Sequence, residues 1–286
     1  MGAVLGLIAA LAYGASDFVA GIASRRMPVM LVTAATLLTE LVFALLVLVF
    51  VHGDTPGPQV LFWGALSGVG SALGTLALYQ GFAVGSMSIV ATVSGVLTVV
   101  IPAVVGVAIG NRLTWVGLGG VIAAVLAVAL VSWTGARTLG SSGARSGGAI
   151  YGALAGASFA LLFIALERAG GSSGVWPVAT GQLVACLGIV PFVFATARSG
   201  GMSARGIPLL PALRLPVVAG LLGGLAAFSY LAATGFGELV IIAVLTSMYP
   251  AVTVLLARLL LRERWNWPQR VGLVLSAASV VVIALA

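Results

Sequence analysis

The sequence predicts an all-α integral membrane protein with ten transmembrane helices, arranged as two inverted five-helix repeats. Three observations support this prediction: the composition, a series of long apolar runs, and a turn that occurs twice. Of the 286 residues, 61% are hydrophobic and only 7% are charged, and the mean hydropathy is +1.24. A soluble domain carries about 25% charged residues, so we expect the surface of this chain to be solvated by lipid.

A transmembrane helix needs roughly 20 mostly apolar residues, and ten such runs can be marked along the chain. The third and fourth runs are nearly continuous. We separate them at Val84-Gly85-Ser86 because about 50 apolar residues cannot form one span. The eighth and ninth runs break in a similar way at Gly235-Phe236-Gly237. The ten runs are approximately 2–22, 30–51, 60–81, 86–109, 114–133, 147–167, 176–195, 215–235, 239–260 and 267–285.

The first run is expected to remain as a span. No basic segment precedes it, and Asp17 lies where a cleavable signal peptide is usually uncharged. The chain should therefore enter the membrane with this helix retained.

A short polar turn occurs twice and indicates an internal duplication. Arg112 corresponds to Arg264, and Trp115 corresponds to Trp267, with the same displacement of 152 residues. A segment rich in Gly, Ser and Arg lies between the two halves and is typical of a flexible linker. Because each half has an odd number of spans, the second enters the membrane in the opposite orientation, as in many secondary transporters. The predicted units are a first repeat at 1–134, a linker at 135–146 and a second repeat at 147–286.

Glycines and prolines predict how the spans pack and bend. Glycines four residues apart, such as Gly64 and Gly68, let helix backbones approach closely, and we expect this packing within the protein rather than at a dimer face. Pro102 and Pro250 interrupt the fourth and ninth runs, where a missing backbone hydrogen bond predicts a kink or an unwound point.

All thirteen basic residues are arginines, and with six acids they give a formal net charge of +7. In a soluble protein this charge would suggest nucleic acid as a partner. Here the arginines lie in short loops, so we expect contact with lipid headgroups and no nucleic-acid partner. The loops after even-numbered runs hold only Arg112 and Arg168. The positive-inside rule therefore places the odd-numbered loops in the cytoplasm and both termini outside.

Two carboxylic acids lie inside predicted spans and are the principal candidates for function. Asp17 is in the first run and Glu40 is midway along the second. A charged side chain at that depth costs at least about 2.5–3.5 kcal/mol, and such residues usually face a bundle interior or a wet cavity. They could bind a cationic or hydroxylated substrate or carry a proton. The alternative is a structural acid hydrogen-bonded to a neighbouring helix, for instance through Ser16 or Thr39.

The other four acids, at 54, 167, 238 and 263, are expected to be interfacial charges that are paired or hydrated. Further polar side chains inside the spans could line a substrate cavity. Each has an alternative role, because tyrosine is common at membrane interfaces and glutamine or serine can join helices. These candidates are Tyr13, Tyr79, Gln80, Ser158, Gln182 and Tyr230, with Tyr249 as a further possibility.

The residue inventory excludes the common classes of enzyme. The only histidine, His52, lies in a loop, so a Ser–His hydrolase would lack its base. The single cysteine, Cys186, excludes disulfides and cysteine-rich metal sites. No HExxH motif or phosphate-binding loop occurs. We therefore expect a protein that is not an enzyme and that uses no cofactor and no metal. A channel is disfavoured because no filter segment is present.

Ten spans in two halves, each with an arginine-containing turn before its last span, resemble the EamA family of the drug/metabolite transporter superfamily. The strongest local match is Ser247-Met248-Tyr249-Pro250, followed by Leu261-Arg262-Glu263-Arg264. In the first half Asn111 replaces the family's Glu and precedes Arg112, so a role for that acid cannot be assumed in both turns. The resemblance implies an inner-membrane carrier of small metabolites with both termini in the cytoplasm, which is opposite to the orientation that the arginine distribution indicates.

The predicted function is secondary transport by alternating access between the two halves. The resemblance favours export of an amino acid or a related amphipathic compound, with proton exchange through Glu40 or Asp17 as a candidate coupling. The alternatives are uptake of a sugar or another solute, and a non-transporting membrane scaffold. The turn residues, which are Asn111, Arg112, Glu263 and Arg264, are predicted to be structural. We expect a monomer or homodimer in the plasma membrane.

Overall fold

The computed structural model describes residues 1–51, 55–108, 115–136, 144–169, 174–198, 209–234, 246, 248–263 and 266–285. Within these ranges the chain forms ten main helices and no strand. A single helical turn at Leu209–Ala212 precedes the eighth of them. The ten are α1 (Gly2–Ser24), α2 (Val29–Phe50), α3 (Pro58–Val84), α4 (Met87–Ala108), α5 (Trp115–Ala136), α6 (Ala144–Ala169), α7 (Trp176–Arg198), α8 (Arg214–Thr234), α9 (Tyr249–Leu260) and α10 (Trp267–Leu285).

The helix bounds confirm the predicted series of ten spans. α3 ends at Val84 and α4 begins at Met87, so the chain divides where the long apolar run was split. Gly85 stops α3 by adopting an extended conformation. The second predicted break, at 235–237, lies outside the described residues. Both ends of the predicted linker are helical, because α5 reaches Ala136 and α6 starts at Ala144, and 137–143 lies outside the described residues.

Five helices, α1, α2, α3, α6 and α7, have the length and hydropathy of membrane spans, and the other five are apolar over shorter stretches of the described chain. Large apolar side chains cover the outside of the bundle. On α2, for example, Leu45, Leu46 and Val49 are 48%, 56% and 66% exposed. An apolar surface of this extent would be a liability in water, whereas in a bilayer it contacts lipid. The chain is thus a multi-pass membrane protein.

The helices pack mainly between the two repeats rather than within them. α3 packs along α6 and α7, and α8 packs in the same way along α1 and α2. α4 contacts α6, as α9 contacts α1, while α2–α7, α4–α9 and α5–α10 pair directly. Each of these contacts recurs when the repeats are exchanged, as a pseudo-two-fold axis in the membrane plane requires. The two repeats are therefore interleaved.

Small residues allow this interleaving. The backbone of Gly68 in α3 lies directly against that of Gly181 in α7. A methyl group on Gly70 would lie 2.6 Å from the carbonyl oxygen of Ser158 in α6, and one on Gly220 would lie 2.7 Å from the carbonyl oxygen of Thr36 in α2. The glycine spacings that predicted close packing thus act within the protein, at contacts between the repeats.

The largest buried apolar cluster also draws on both repeats. Phe18, Phe82 and Met87 come from the first repeat, and Ala155 and Ala219 come from the second. Met87 begins α4 and is fully buried. The core of the molecule therefore forms only when both repeats are present.

Candidate functional site

Asp17 and Glu40 lie near mid-depth on adjacent helices of the first repeat. Glu40 is eleven residues beyond the start of α2 at Val29, which corresponds to about 17 Å along the helix axis at 1.5 Å per residue. Asp17 is eight residues before Arg25, which follows the end of α1, or about 12 Å from it. A bilayer core is about 30 Å thick, so both residues lie well inside the spans formed by their helices.

The carboxyl group of Glu40 meets groups from both repeats. The side-chain amide of Gln182 in α7 donates a hydrogen bond from Nε2 to Glu40 Oε2, at 2.8 Å. On the opposite side Glu40 Oε1 lies against Gly223 in α8, so closely that a methyl group on Gly223 would overlap it. Ser16 Oγ of α1 is 3.4 Å from the same methyl position. Glu40 therefore lies where α1, α2, α7 and α8 converge.

For Asp17 and Glu40 the structural alternative was a hydrogen bond to a neighbouring helix, with Ser16 and Thr39 as example partners, and neither of these hydroxyl groups donates to either acid. Ser16 Oγ donates to the carbonyl oxygen of Ala219, at 2.7 Å, and Thr39 Oγ1 donates to that of Ala35, at 2.8 Å. A hydroxyl group has only one proton to donate. The described donor to Glu40 is thus Gln182, from the other repeat.

Tyrosines surround the two acids. Asp17 and Glu40 lie near each other, and both lie near Tyr13 of α1 and Tyr79 of α3. Tyr249, at the start of α9, interacts with Asp17, and its ring centroid is 6.0 Å from that of Tyr13. Tyr79 is only 2% exposed. We call this group, with Gln182, the carboxylate cluster; its members are Tyr13, Asp17, Glu40, Tyr79, Gln182 and Tyr249.

One polar atom of the carboxylate cluster lacks a partner among the described residues. Gln182 Oε1 is buried and accepts no hydrogen bond from any of them. An unsatisfied buried acceptor costs about 1–3 kcal/mol. The amide that binds Glu40 therefore presents an acceptor that a water molecule or a substrate donor could satisfy.

Three predicted cavity residues occupy other positions. Gln80 directly follows Tyr79 in α3, and neighbouring residues in a helix do not face the same direction, so Gln80 points into a different sector. The backbone carbonyl of Ser158 in α6 packs against Gly70 of α3. Tyr230 in α8 is partly buried and lies near Tyr13, at the margin of the carboxylate cluster.

Sequence reasoning missed Gly223, which has no side chain to suggest a role. Its position between Gly220 and Gly224 was the available signal, because that spacing marks a surface for close helix approach. The helix that approaches there is α2, and Glu40 is the residue brought against Gly223.

Of the four predicted turn residues, the structure describes Glu263. Glu263 lies against the start of α4, where its carboxylate accepts backbone and hydroxyl hydrogen bonds. Asn111, Arg112 and Arg264 lie outside the described residues.

Pro102 lies inside α4. Pro250 instead occupies the first turn of α9, where a missing N–H costs no helix hydrogen bond, so it does not interrupt the described helix.

Among the described residues, no three His, Cys, Asp or Glu side chains are close enough together to hold a metal ion. The carboxylate cluster contains two acids, one amide and several phenol groups. This set can exchange protons and accept hydrogen bonds at mid-depth in a membrane.

Comparisons with known proteins agree with this architecture. The model of the EamA-like transporter family matches twice, at residues 1–133 and 146–285. Twenty-four chains of solved structures match the fold. One of them, described only as the crystal structure of a protein, covers 99% of this chain and 96% of its own, with a TM-score of 0.61 and 17% sequence identity. No match was found among functionally curated proteins.

Proposed function

The chain belongs to the EamA-like transporter family, and from this membership we propose that it is a secondary transporter in the plasma membrane that moves a small metabolite by alternating access. The proposed cargo is an amino acid or a related amphipathic compound, and the proposed direction is export. Substrate would bind at the carboxylate cluster, and protons would exchange through Glu40 or Asp17.

The observation that carries this proposal is the hydrogen bond between Glu40 of the first repeat and Gln182 of the second, at 2.8 Å. In a carrier built from inverted repeats the substrate site lies near the midplane, where the repeats meet. Glu40 is at that depth and at that junction. A protonation or binding event there acts directly on a contact between the two repeats, as coupled transport requires.

The remainder of the carboxylate cluster supports the same role. A charged residue inside a membrane is costly and usually functional, and here two acids lie within electrostatic reach of each other. Packing alone does not require two such groups. A scaffold protein could instead fill these positions with apolar residues at lower cost.

The test begins with a comparison of metabolites inside and outside cells that contain or lack the protein. Compounds that differ are then assayed with purified protein in liposomes under an imposed pH gradient. We expect Glu40→Gln and Asp17→Asn each to reduce transport at least tenfold and to remove its dependence on the gradient. Glu167→Gln, which neutralises an exposed acid at the end of α6, is the matched control and should transport normally.

Normal transport by both Glu40→Gln and Asp17→Asn, with unchanged dependence on the gradient, would show that the site is elsewhere. If wild-type protein moves none of the compounds that differ between the cells, the scaffold alternative gains support and the transport proposal fails.

A further inference from the structure

The hairpin of α3 and α4 turns through Gly85 and Ser86, and charged side chains hold it on both sides of this tip. Arg25, which follows α1, donates from Nε to the carbonyl oxygen of Phe82 and from Nη2 to that of Gly85, both at 2.9 Å. These carbonyls belong to the C-terminal end of α3. A cation is favourable there because the helix dipole is negative at that end.

Glu263 holds the other side of the tip, at the N-terminal end of α4. Its carboxylate accepts hydrogen bonds from the backbone N–H groups of Met87, at 3.0 Å, and Ser88, at 3.2 Å. It also accepts them from the hydroxyl groups of Ser86, at 2.9 Å, and Ser88, at 2.6 Å. A helix N-terminus favours an anion and needs acceptors for its first N–H groups. A nearby residue usually caps a helix, whereas here the cap comes from the second repeat.

The two holding residues also interact with each other. Arg25 Nη2 is 3.7 Å from Glu263 Oε1. Arg258 of α9 donates a hydrogen bond to the backbone carbonyl of Glu263, and Arg262 takes a left-handed conformation with φ of 54°. These contacts fix the chain just after α9 so that Glu263 points at α4. We call this arrangement the tip clamp; its members are Arg25, Ser86, Ser88, Arg258 and Glu263.

The tip clamp lies at the ends of α1, α3 and α9, and its two charged partners are partly exposed. The Arg25 side chain is 33% exposed and that of Glu263 is 15% exposed. The Arg25–Glu263 ion pair itself contributes little net stability, because the Arg25 charge can be hydrated when the two separate, and the hydrogen bonds that Glu263 accepts from the start of α4 are the stronger part of the tip clamp. The tip clamp is therefore specific in geometry and still able to separate reversibly.

At the equivalent positions of the other hairpin tip and turn the sequence has different side chains. At the displacement of 152 residues, Glu263 corresponds to Asn111, Ser86 corresponds to Glu238, and Ser88 corresponds to Val240. The equivalent set at the opposite face thus has an amide in place of the capping carboxylate. In place of the two serine hydroxyls it has a carboxyl group and an apolar side chain.

We propose that the tip clamp is a latch that closes one face of the carrier and must open in each transport cycle. Because the opposite face lacks the same set of residues, the resting protein is biased toward opening there. This inference rests on the alternating access of the proposed function. Beyond the proposed function, it assigns the residues that determine which face is closed at rest.

The test measures distances between pairs of spin labels in purified protein in lipid nanodiscs, in a Cys186→Ser background. Arg26→Cys with Asn266→Cys reports the latch face, and Thr55→Cys with Glu167→Cys reports the opposite face; all four positions are exposed. Each pair joins the two repeats. The measurement needs no substrate, so it is independent of the transport assay.

In Glu263→Gln we expect the longer-distance population at the latch face to increase about tenfold or more relative to the closed one, since charge-assisted hydrogen bonds are lost. The opposite face should shift toward shorter distances in the same variant. Arg270→Gln removes an exposed charge from α10 and is the matched control; its distances should equal those of the wild type.

Unchanged distances at both faces in folded Glu263→Gln would overturn the latch and show that the tip clamp is a permanent joint. If Glu263→Gln fails to fold, Ser88→Ala removes one hydroxyl donor and retains both charges. Ser88→Ala should produce the same distance shift with smaller amplitude. Unchanged distances in Ser88→Ala would also overturn the proposal. If wild-type protein transports none of the compounds tested and the distances still shift as expected in Glu263→Gln, only the transport proposal is refuted.

Discussion

Glu40 and Gln182 show what a single pair of residues does in this membrane protein. The carboxylate comes from the first repeat and the amide from the second, and the bond between them spans 142 positions of sequence. Gln182 can hydrogen-bond to Glu40 in either protonation state, because its amide has donors for a carboxylate and an acceptor for a carboxylic acid. The acceptor, Oε1, has no partner among the described residues.

We expect Gln182→Leu to reduce transport about tenfold or more, because a hydrogen bond to a charged group contributes about 1.5–3 kcal/mol. Initial transport rates in proteoliposomes measure this change for any substrate that the wild type moves. Gln80→Leu, in which the amide is lost from α3, is the matched control and should transport within about twofold of the wild type. Equal losses in the two variants would contradict a specific role for Gln182.

At this scale the sequence predicted the acids and not their surroundings. Asp17 and Glu40 were identifiable because charge inside an apolar run is costly whatever the fold. Gln182 was only one of several polar candidates, since its contact with Glu40 depends on how α7 packs against α2. Gly223 carried no signal of its own, because its contribution is the space that it leaves for Glu40.

At the scale of elements, hydropathy predicts where the helices lie in the sequence, but it does not predict which helices pack against each other. Val84 and Met87 bound a break that helix length alone required. The tip clamp could not be predicted, because nothing near Ser86 in sequence indicates that a carboxylate from position 263 will cap α4. The glycine spacings predicted close approach, but the neighbour of Gly68 emerged only in the folded chain as Gly181.

The contact between α3 and α7 gives a prediction about stability. In Gly68→Ala the added methyl group meets the backbone of Gly181, which cannot rotate away as a side chain can. We expect overpacking of this kind to lower the free energy of unfolding by about 1–3 kcal/mol. Thermal unfolding in detergent measures it as a lower melting temperature. Gly188→Ala on α7, where an added methyl meets nothing within 4 Å, should melt like the wild type.

At the scale of the whole molecule, the two repeats form one body rather than two domains. α3 lies between helices of the second repeat, and α8 lies between helices of the first. The odd number of spans in each repeat places the two polar turns on opposite faces of the membrane. The direction in which the molecule is inserted is a separate question, on which the arginine distribution and the family resemblance disagree.

Topology reporters test this arrangement directly. Ten spans place both termini on the same side, and five spans place the predicted linker at 135–146 on the other side. We expect a phosphatase or fluorescent reporter to give one result at both ends of the chain and the opposite result in the linker. The same fusions show which side is cytoplasmic. A linker that reports the same side as the termini would contradict the inverted repeats.

The interleaved packing also has a consequence for biosynthesis. Ser16 of α1 donates its hydrogen bond to Ala219 of α8, a residue made 203 positions later. At about 5–20 residues per second, the ribosome takes roughly 10–40 s to cover that distance. During this interval the first helices are already in the membrane, and Glu40 is there before Gln182, its hydrogen-bond donor, has been synthesised. The nascent chain must therefore shelter two acids from lipid, within the insertion machinery or in a provisional helix arrangement, until its second half arrives.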